Sequence, residues 1–441
     1  MIGAIQARLQ SLRDMIRRFF ARPFVRNVAT VASGTALAQV IAMAFAPLIT
    51  RLYGPEAYGL QGIFFSVVAP LSTIAALGFP NAIVLPKSDQ EAKGIVRLSL
   101  YIGLGSAALT TAALFLAGDR LLKLLDAEAI AYLIYLVPVA MLASVIRSVQ
   151  GQSLIRMRAY GLAARSSVVT SVVVNVIKSV MGYLQPSAAA LIVTNVVGGL
   201  FGSLLTYLER RRNYPALKDD PVEAERAASL MELAKKYADF PFLRTPQNLI
   251  NSFSQALPVL MLSSQFGSAA AGQYGIAAAV LALPIELIGG AVMSVFYPRI
   301  NDAFRRQEDS KKLLVSATLG MAAVGALPFL IVCAFGPVLF ATVFGSEWER
   351  AGSYAQWLAL WLFSSFMNRP AVSAMPALKL QGILLTHEIA SVALRVASLY
   401  AGFFLMNSDI AAVAMFSIVG VLMNIRLIAY VIRACGSTKR D

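Results

Sequence analysis

Long apolar segments are the feature that most constrains what this chain can fold into. Of its 441 residues, 58% are hydrophobic and 14% are charged, whereas a soluble domain carries roughly 25% charged residues. Because about 20 consecutive apolar residues span a bilayer as a helix, the chain has room for about twelve spans and their loops. The pattern excludes a soluble globular protein and predicts an all-α polytopic membrane protein.

The apolar segments fall into two groups of six. We place the spans at 28–50, 59–85, 95–117, 129–152, 165–184, 188–208, 238–266, 270–297, 312–336, 352–376, 383–405 and 410–432. The polar segment 209–237 predicts a cytoplasmic connector between an N-lobe, 28–208, and a C-lobe, 238–432. Gln39 precedes Tyr58 by nineteen residues, and Gln255 precedes Tyr274 by the same nineteen. This weak repeat favours two pseudo-symmetric six-helix lobes, since internal repeats are common among transporters.

The two ends of the chain differ from the spans. Within residues 1–27, apolar residues recur at helical spacing with arginines between them, which predicts a basic amphipathic helix on the membrane surface. No short apolar core with a small-residue cleavage site precedes residue 28, so we expect no cleavable signal peptide. Residues 433–441 form a polar tail.

The distribution of basic residues predicts the orientation. Of the 38 Lys and Arg residues, 29 fall on the side of the two termini, four on the opposite side and five inside the spans. Positive residues favour the cytoplasmic side of a membrane protein. We therefore expect both termini in the cytoplasm, and we attribute the net charge of +15 to basic loops at an anionic leaflet rather than to nucleic-acid binding.

Five basic residues lie inside predicted spans, where a charge costs roughly 2.5–3.5 kcal/mol. They are Arg147, Lys178, Arg244, Arg369 and Arg395. Since Glu286 is the one carboxylate at comparable depth, these cations cannot all be paired internally. The pattern predicts a wet, positively lined cavity for an anion, because Arg and Lys both bind phosphate. The alternative is that these side chains extend to the lipid headgroups (snorkelling). Lys178 and Arg395 lie near mid-span, so this alternative fits them less well than Arg147 and Arg244.

Further candidates complete this predicted site. Arg51, at the end of the first span, is an additional cation candidate for substrate binding. The polar residues Gln39, Gln247, Asn251 and Gln255 are candidates for a polar cavity face, with helix–helix hydrogen bonding as the alternative. Glu286 is the candidate for ion coupling, with H⁺ or Na⁺ as the coupling ion, and a structural salt bridge is the alternative.

Other chemistries find no support in the sequence. Two cysteines and one histidine exclude a disulfide framework and a His-based metal centre. The chain has no Walker-type glycine-rich loop, so it cannot drive transport by its own ATP hydrolysis. We expect no catalytic residues, no metal and no cofactor.

Three groups of motifs are specific enough to name a family. They are 47–59 (PLITRLYGPEAYG), 236–241 (KYADFP) followed by Pro246, Asn251 and 257–260 (LPVL), and 271–275 (AGQYG) followed by Pro284 and 295–299 (VFYPR). In this order the chain resembles the polysaccharide transporter (Wzx-like) branch of the multidrug/oligosaccharidyl-lipid/polysaccharide (MOP) exporter superfamily over nearly its whole length.

The resemblance implies a V-shaped pair of six-helix lobes and a function. Members of this branch move an undecaprenyl-diphosphate-linked sugar unit across the bacterial inner membrane, for O-antigen, capsule or exopolysaccharide assembly. The predicted cationic interior fits the diphosphate. Membrane lipids, and a polysaccharide polymerase and chain-length regulator, are the further partners that the resemblance suggests.

The sequence differs from three alternative classes of membrane protein. An ion-coupled multidrug antiporter of the MATE type carries an acidic residue in its first helix, whereas residues 28–50 contain none. A peptidoglycan-precursor flippase has fourteen helices and an arginine inside the first, whereas Arg51 lies at the helix end. An integral-membrane glycosyltransferase or polymerase needs a large outer loop or an acidic metal-binding motif, and the outer loops here are short.

Overall fold

The computed structural model describes residues 23–125, 127–213, 229–306, 308–378 and 380–437. The surface helix predicted for 1–27 lies almost entirely outside the described residues, as do 214–228 of the connector and the last four residues of the tail. All regular structure in the described part of the chain is helical, which confirms the predicted all-α class.

Thirteen α-helices follow one another among these residues. They are α1 Pro23–Ala75, α2 Asp89–Leu124, α3 Leu136–Arg156, α4 Tyr160–Leu184, α5 Ala188–Asn213, α6 Leu230–Lys236, α7 Thr245–Phe266, α8 Ser268–Pro284, α9 Gly290–Arg305, α10 Ser310–Phe344, α11 Glu349–Ala374, α12 Gln381–Met406 and α13 Asp409–Ser437. Seven of the described helices are long and apolar enough to cross a membrane. All twelve predicted spans fall mainly on helical chain, which is roughly consistent with the predicted number of spans.

Two local features divide or extend these helices. At Gly54 the φ angle is 68°, a conformation that side chains disfavour, and Pro55 suits the first turn of a helix. The chain therefore turns there, and α1 supplies the first two predicted spans. A π-helical turn at Ile285–Gly289 instead joins α8 to α9, so that these two helices form the eighth span.

The apolar side chains form two main cores, one in each half of the chain. The first is built from the second half of α1 and from α2, α3 and α5, with Ile63, Ile95 and Ile192 at most 1% exposed. The second is built mainly from α8, α10 and α11, with Trp348 and Phe366 each 1% exposed. Inside a membrane, such side chains stabilise each half through close van der Waals packing between helices.

The short helix α6 packs against the first half of the molecule. Its Leu233 is 1% exposed and belongs to the first core. A capping box between Ser229 and Glu232 starts the helix, which satisfies two free backbone amides. At its end Lys236 donates to Glu91 Oε1 of α2 at 2.5 Å, and this hydrogen bond raises the pKa of Lys236. The end of the connector is thus fixed to the N-terminal half.

The two halves meet at the end opposite to the predicted cytoplasmic side. A Cβ atom on Gly59 would lie 1.7 Å from the Ser268 carbonyl oxygen, and one on Gly272 would lie 2.0 Å from that of Pro55. Only glycine therefore permits α1 and α8 to cross this closely. Beside the crossing, Thr50 Oγ1 donates to the Phe344 carbonyl at 3.1 Å. These contacts close the molecule on its predicted periplasmic side.

Candidate substrate-binding cavity

A cavity of about 840 Å³ lies between the second half of α1 and helices α3, α5 and α7. Along α1 its lining runs from Gly62, near the crossing, to the turn at Phe79–Val84 at the predicted cytoplasmic end. At that end Asn81 and Asn248 are exposed. The cavity therefore opens towards the predicted cytoplasmic side and ends below the α1–α8 crossing.

Arg147 of α3 is the one charged side chain among the described residues that line the cavity. It is exposed, and it makes no ion pair within the described part of the chain. Gly199 of α5 leaves the room it needs, because a Cβ there would lie 2.9 Å from Arg147 Nη1. A guanidinium without a carboxylate partner, in an open polar cavity, can bind an anion bidentately.

Helix α7 supplies a polar wall without charge. Asn248, Asn251 and Gln255 line the cavity, and their spacing places them on one face of the helix. Their amide groups form no hydrogen bond with any described residue. Of the predicted polar face, Asn251 and Gln255 lie in the lining, whereas Gln39 and Gln247 do not. Asn248 was missed, although its spacing of three residues from Asn251 is the signal that could have indicated it.

Lys178 and Arg395 lie outside this lining. Lys178 is half-buried on α4, where its backbone carbonyl accepts a hydrogen bond from the Tyr53 hydroxyl at 2.8 Å. Arg395 lies in the C-terminal half, with its guanidinium carbon 4.9 Å from the ring centroid of Trp361 and 5.3 Å from that of Phe416. Their contact with a substrate stays a prediction.

Helix α7 separates Arg395 from the cavity. Ser254 of α7 accepts from Arg395 Nη2 at 3.5 Å, whereas the next residue, Gln255, lines the cavity. The polar residues of this helix thus belong to two faces, one towards Arg147 and one towards Arg395. The spacing of these residues in the sequence does not indicate this division.

The remaining candidate cations are distributed over the molecule. Arg369 of α11 lies 3.5 Å from Glu286 Oε1, and the two side chains are 36% and 62% exposed. Arg51 donates to the backbone carbonyl of Thr342 at 2.7 Å on the predicted periplasmic side. Arg244 is exposed in the π-helical turn before α7. The described residues therefore do not bring the six candidate cations together in this conformation.

One ion pair with a buried carboxylate was not anticipated from the sequence. Arg350 Nη2 lies 2.5 Å from Asp409 Oδ1, and the Asp409 side chain is 4% exposed. The Tyr354 hydroxyl also donates to Asp409. No local motif indicates this partner of Arg350, because Asp409 lies 59 residues further along the chain.

The apolar helices and the cavity between them define a multi-pass membrane protein. The chain aligns with an inward-facing multidrug resistance MATE family transporter of the MOP superfamily, with a TM-score of 0.72 and 15% identity over 93% of this chain and 95% of that one. It also aligns with a MOP superfamily transporter from Pyrococcus furiosus Vc1 whose binding pocket has reverse polarity, which suggests a different function for that protein. Here the TM-score is 0.62 and the identity 14%, over 94% of this chain and 96% of that one. These similarities establish the fold.

Sequence comparison gives the family. Residues 48–353 match the model of the polysaccharide biosynthesis protein family, and the chain belongs to it. The succinoglycan biosynthesis transport protein ExoT of Rhizobium meliloti (strain 1021) is 23% identical over 337 residues, which are 76% of this chain and 64% of ExoT. The match thus spans less than two thirds of that relative's length. The predicted placement among polysaccharide biosynthesis proteins is confirmed, and the fold agrees with the predicted MOP-type architecture.

Proposed function

We propose that this protein is a flippase for an undecaprenyl-diphosphate-linked oligosaccharide in surface polysaccharide assembly. The observation that carries the proposal is the unpaired Arg147 in a cavity whose described lining contains polar side chains but no carboxylate. A cavity of this charge suits an anionic ligand and disfavours the cationic compounds that a multidrug exporter carries. Membership of the polysaccharide biosynthesis family supports the same ligand class.

The physical task of such a protein is to move a charged, hydrated head group through a membrane. Transfer of bare charge into hydrocarbon is costly, and a bilayer offers the diphosphate and sugar no polar partners. The cavity would supply those partners, with Arg147 at the diphosphate and the amides of α7 beside it. The polyprenyl tail would remain in the lipid through a lateral opening.

Transport in this proposal follows alternating access. The conformation described here is open towards the predicted cytoplasmic side and closed by the α1–α8 crossing on the other. The substrate would enter from the cytoplasmic leaflet of the bacterial inner membrane, with both chain termini in the cytoplasm. Separation of α1 from α8 would then expose it to the periplasmic leaflet, where a polysaccharide polymerase and a chain-length regulator are the proposed partners.

The drive for this cycle is proposed to be an ion gradient. Glu286 is the proposed coupling group, because it is the one acidic side chain deep in a predicted span and its ion pair with Arg369 is not buried among the described residues. Uptake of H⁺ or Na⁺ by Glu286 would weaken its hold on Arg369. That change would alter the packing between α11 and the turn that joins α8 to α9.

Reconstitution tests the proposal directly. The purified protein is placed in proteoliposomes with a fluorescent undecaprenyl-diphosphate-linked saccharide, and a membrane-impermeant quencher reports how much lipid reaches the opposite leaflet. We expect protein-dependent translocation that Arg147→Ala lowers at least about tenfold, the equivalent of 1.4 kcal/mol. Arg147→Lys, which keeps the charge but not the bidentate geometry, should retain part of it. Translocation at the rate of empty liposomes by the wild-type protein would refute the proposal.

A further inference from the structure

The uncharged wall of the cavity carries three amide side chains that binding of a diphosphate alone does not require. Asn248, Asn251 and Gln255 follow one another along a single face of α7, over about 10 Å of helix axis at 1.5 Å per residue. All three side chains are exposed into the cavity. Nothing in the described structure takes up their hydrogen-bonding capacity.

These side chains have the chemistry of a binding surface for hydroxyl groups. Each primary amide offers two donors and one acceptor without carrying charge, and a sugar hydroxyl both donates and accepts. Ser144 of α3 and Asn195 of α5 add further uncharged polar groups to the lining. The lining thus provides many neutral hydrogen-bonding groups and, in its described part, a single charge at Arg147.

The charge balance of the cavity limits what the sugars can carry. A diphosphate brings more negative charge than Arg147 can neutralise, so no cation of the described lining is left for a second acidic group. A carboxylate or sulfate on the sugar would be brought into the cavity without an ionic partner, which is unfavourable. Neutral hydroxyls meet no such penalty at the amides of α7.

We infer that the cavity selects lipid-linked saccharides whose sugars next to the diphosphate are neutral. The inference rests on the proposed function and deepens it: Arg147 binds the diphosphate, and Asn248, Asn251 and Gln255 bind the hydroxyls of uncharged sugars. Specificity for the sugar then depends on α7, and affinity for the diphosphate depends on Arg147 of α3.

Binding measurements with three probes separate these roles. The full-length protein in lipid nanodiscs is titrated with undecaprenyl diphosphate, with the same lipid bearing a neutral hexose disaccharide, and with the same lipid bearing a disaccharide that contains a uronic acid. We expect the neutral glycolipid to bind at least about tenfold more tightly than the bare diphosphate, a difference of 1.4 kcal/mol. The uronic acid lipid should bind no more tightly than the bare one.

Variants on α7 show where the preference resides. In the triple variant Asn248→Ala, Asn251→Ala and Gln255→Ala, the neutral glycolipid should bind only as tightly as the bare diphosphate, whose own affinity should stay unchanged. Gln247→Ala is the matched control, since Gln247 is an exposed amide on α7 outside the lining. If the triple variant does not fold, Asn251→Ala alone must reduce the preference for the neutral glycolipid while the bare lipid still binds.

The outcomes distinguish this inference from the function on which it rests. Failure of all three lipids to bind the wild-type protein would overturn both. Equal binding of the three lipids, or tightest binding of the acidic one, would overturn neutral-sugar selection and leave the flippase proposal standing. Equal loss of bare and glycosylated lipid in a folded α7 variant would likewise overturn the assignment of the amides to the sugar.

Discussion

Two arginines on opposite sides of α7 have different surroundings, although both lie within predicted membrane spans. Arg147 in the N-terminal half is exposed in a polar cavity beside Gly199. Arg395 in the C-terminal half lies against the rings of Trp361 and Phe416. Neither forms an ion pair with a described residue. Depth in the membrane alone therefore does not distinguish a cation that binds a ligand from one that stabilises the structure.

The neighbours of each arginine explain the difference. An aromatic ring attracts a cation by about 0.5–2 kcal/mol, depending on how far the pair is removed from water, so Arg395 already has favourable contacts inside the protein. The Arg147 guanidinium has an open cavity where a partner would be, and a ligand can fill it. We therefore propose that Arg147 binds the ligand in this conformation and that Arg395 has a packing role.

The largest expected effect is a separation of binding from stability. Arg147→Ala should weaken binding of undecaprenyl diphosphate by about 10- to 100-fold, since a hydrogen bond to a charged group contributes roughly 1.5–3 kcal/mol, with little loss of thermal stability. Arg395→Ala should instead lower the free energy of unfolding by about 1–2 kcal/mol and leave this affinity nearly unchanged. Titration and thermal unfolding of both variants in the same detergent provide the measurement.

Weaker lipid binding by the Arg395→Ala variant would contradict the different roles of the two arginines. If Arg395→Ala weakened lipid binding as much as Arg147→Ala, both arginines would belong to one site. Translocation assays with Arg395→Ala and Lys178→Ala address the original prediction for these residues. If translocation falls while initial binding stays intact, the two cations contact the substrate in a later conformation. Normal translocation by the double Ala variant would remove them from the pathway.

A smaller effect is expected where the room around Arg147 is reduced. The methyl group added by Gly199→Ala would lie 2.9 Å from Arg147 Nη1, so the flexible guanidinium must shift and lose part of its alignment with the ligand. We expect undecaprenyl diphosphate to bind a few-fold more weakly, equivalent to less than about 1 kcal/mol. Gly151→Ala is the matched control, because a Cβ on Gly151 of α3 would meet no atom within 4 Å. Equal affinities in the two variants would show that the position of Arg147 does not depend on Gly199.

The sequence predicted the helices and the presence of deep cations, but it did not predict which of these cations lie together in one cavity. Apolar length indicated the spans, and the five Lys and Arg residues inside them indicated the deep cations, because both depend on local composition. The crossing at Gly59 and Gly272 depends instead on contacts between distant helices. The placement of Ser254 and Gln255 on two different faces of α7 also depends on distant contacts, because the neighbouring helices fix how α7 is rotated.

The smallest expected effect on stability concerns a third arginine, which has an acidic partner. Arg369 and Glu286 lie 3.5 Å apart and are 36% and 62% exposed, so Glu286→Gln should change the free energy of unfolding by less than about 1 kcal/mol. Its effect on transport should be distinct, because glutamine can neither take up H⁺ nor provide a carboxylate for Na⁺. Translocation by Glu286→Gln should lose its dependence on the pH or Na⁺ gradient, measured in proteoliposomes with each gradient imposed separately. Glu388→Gln is the matched control, because it removes another carboxylate of the C-terminal half and leaves the Arg369–Glu286 pair intact. Unchanged gradient dependence in Glu286→Gln would leave the Arg369–Glu286 pair a purely structural contact, and the coupling group would have to be sought elsewhere.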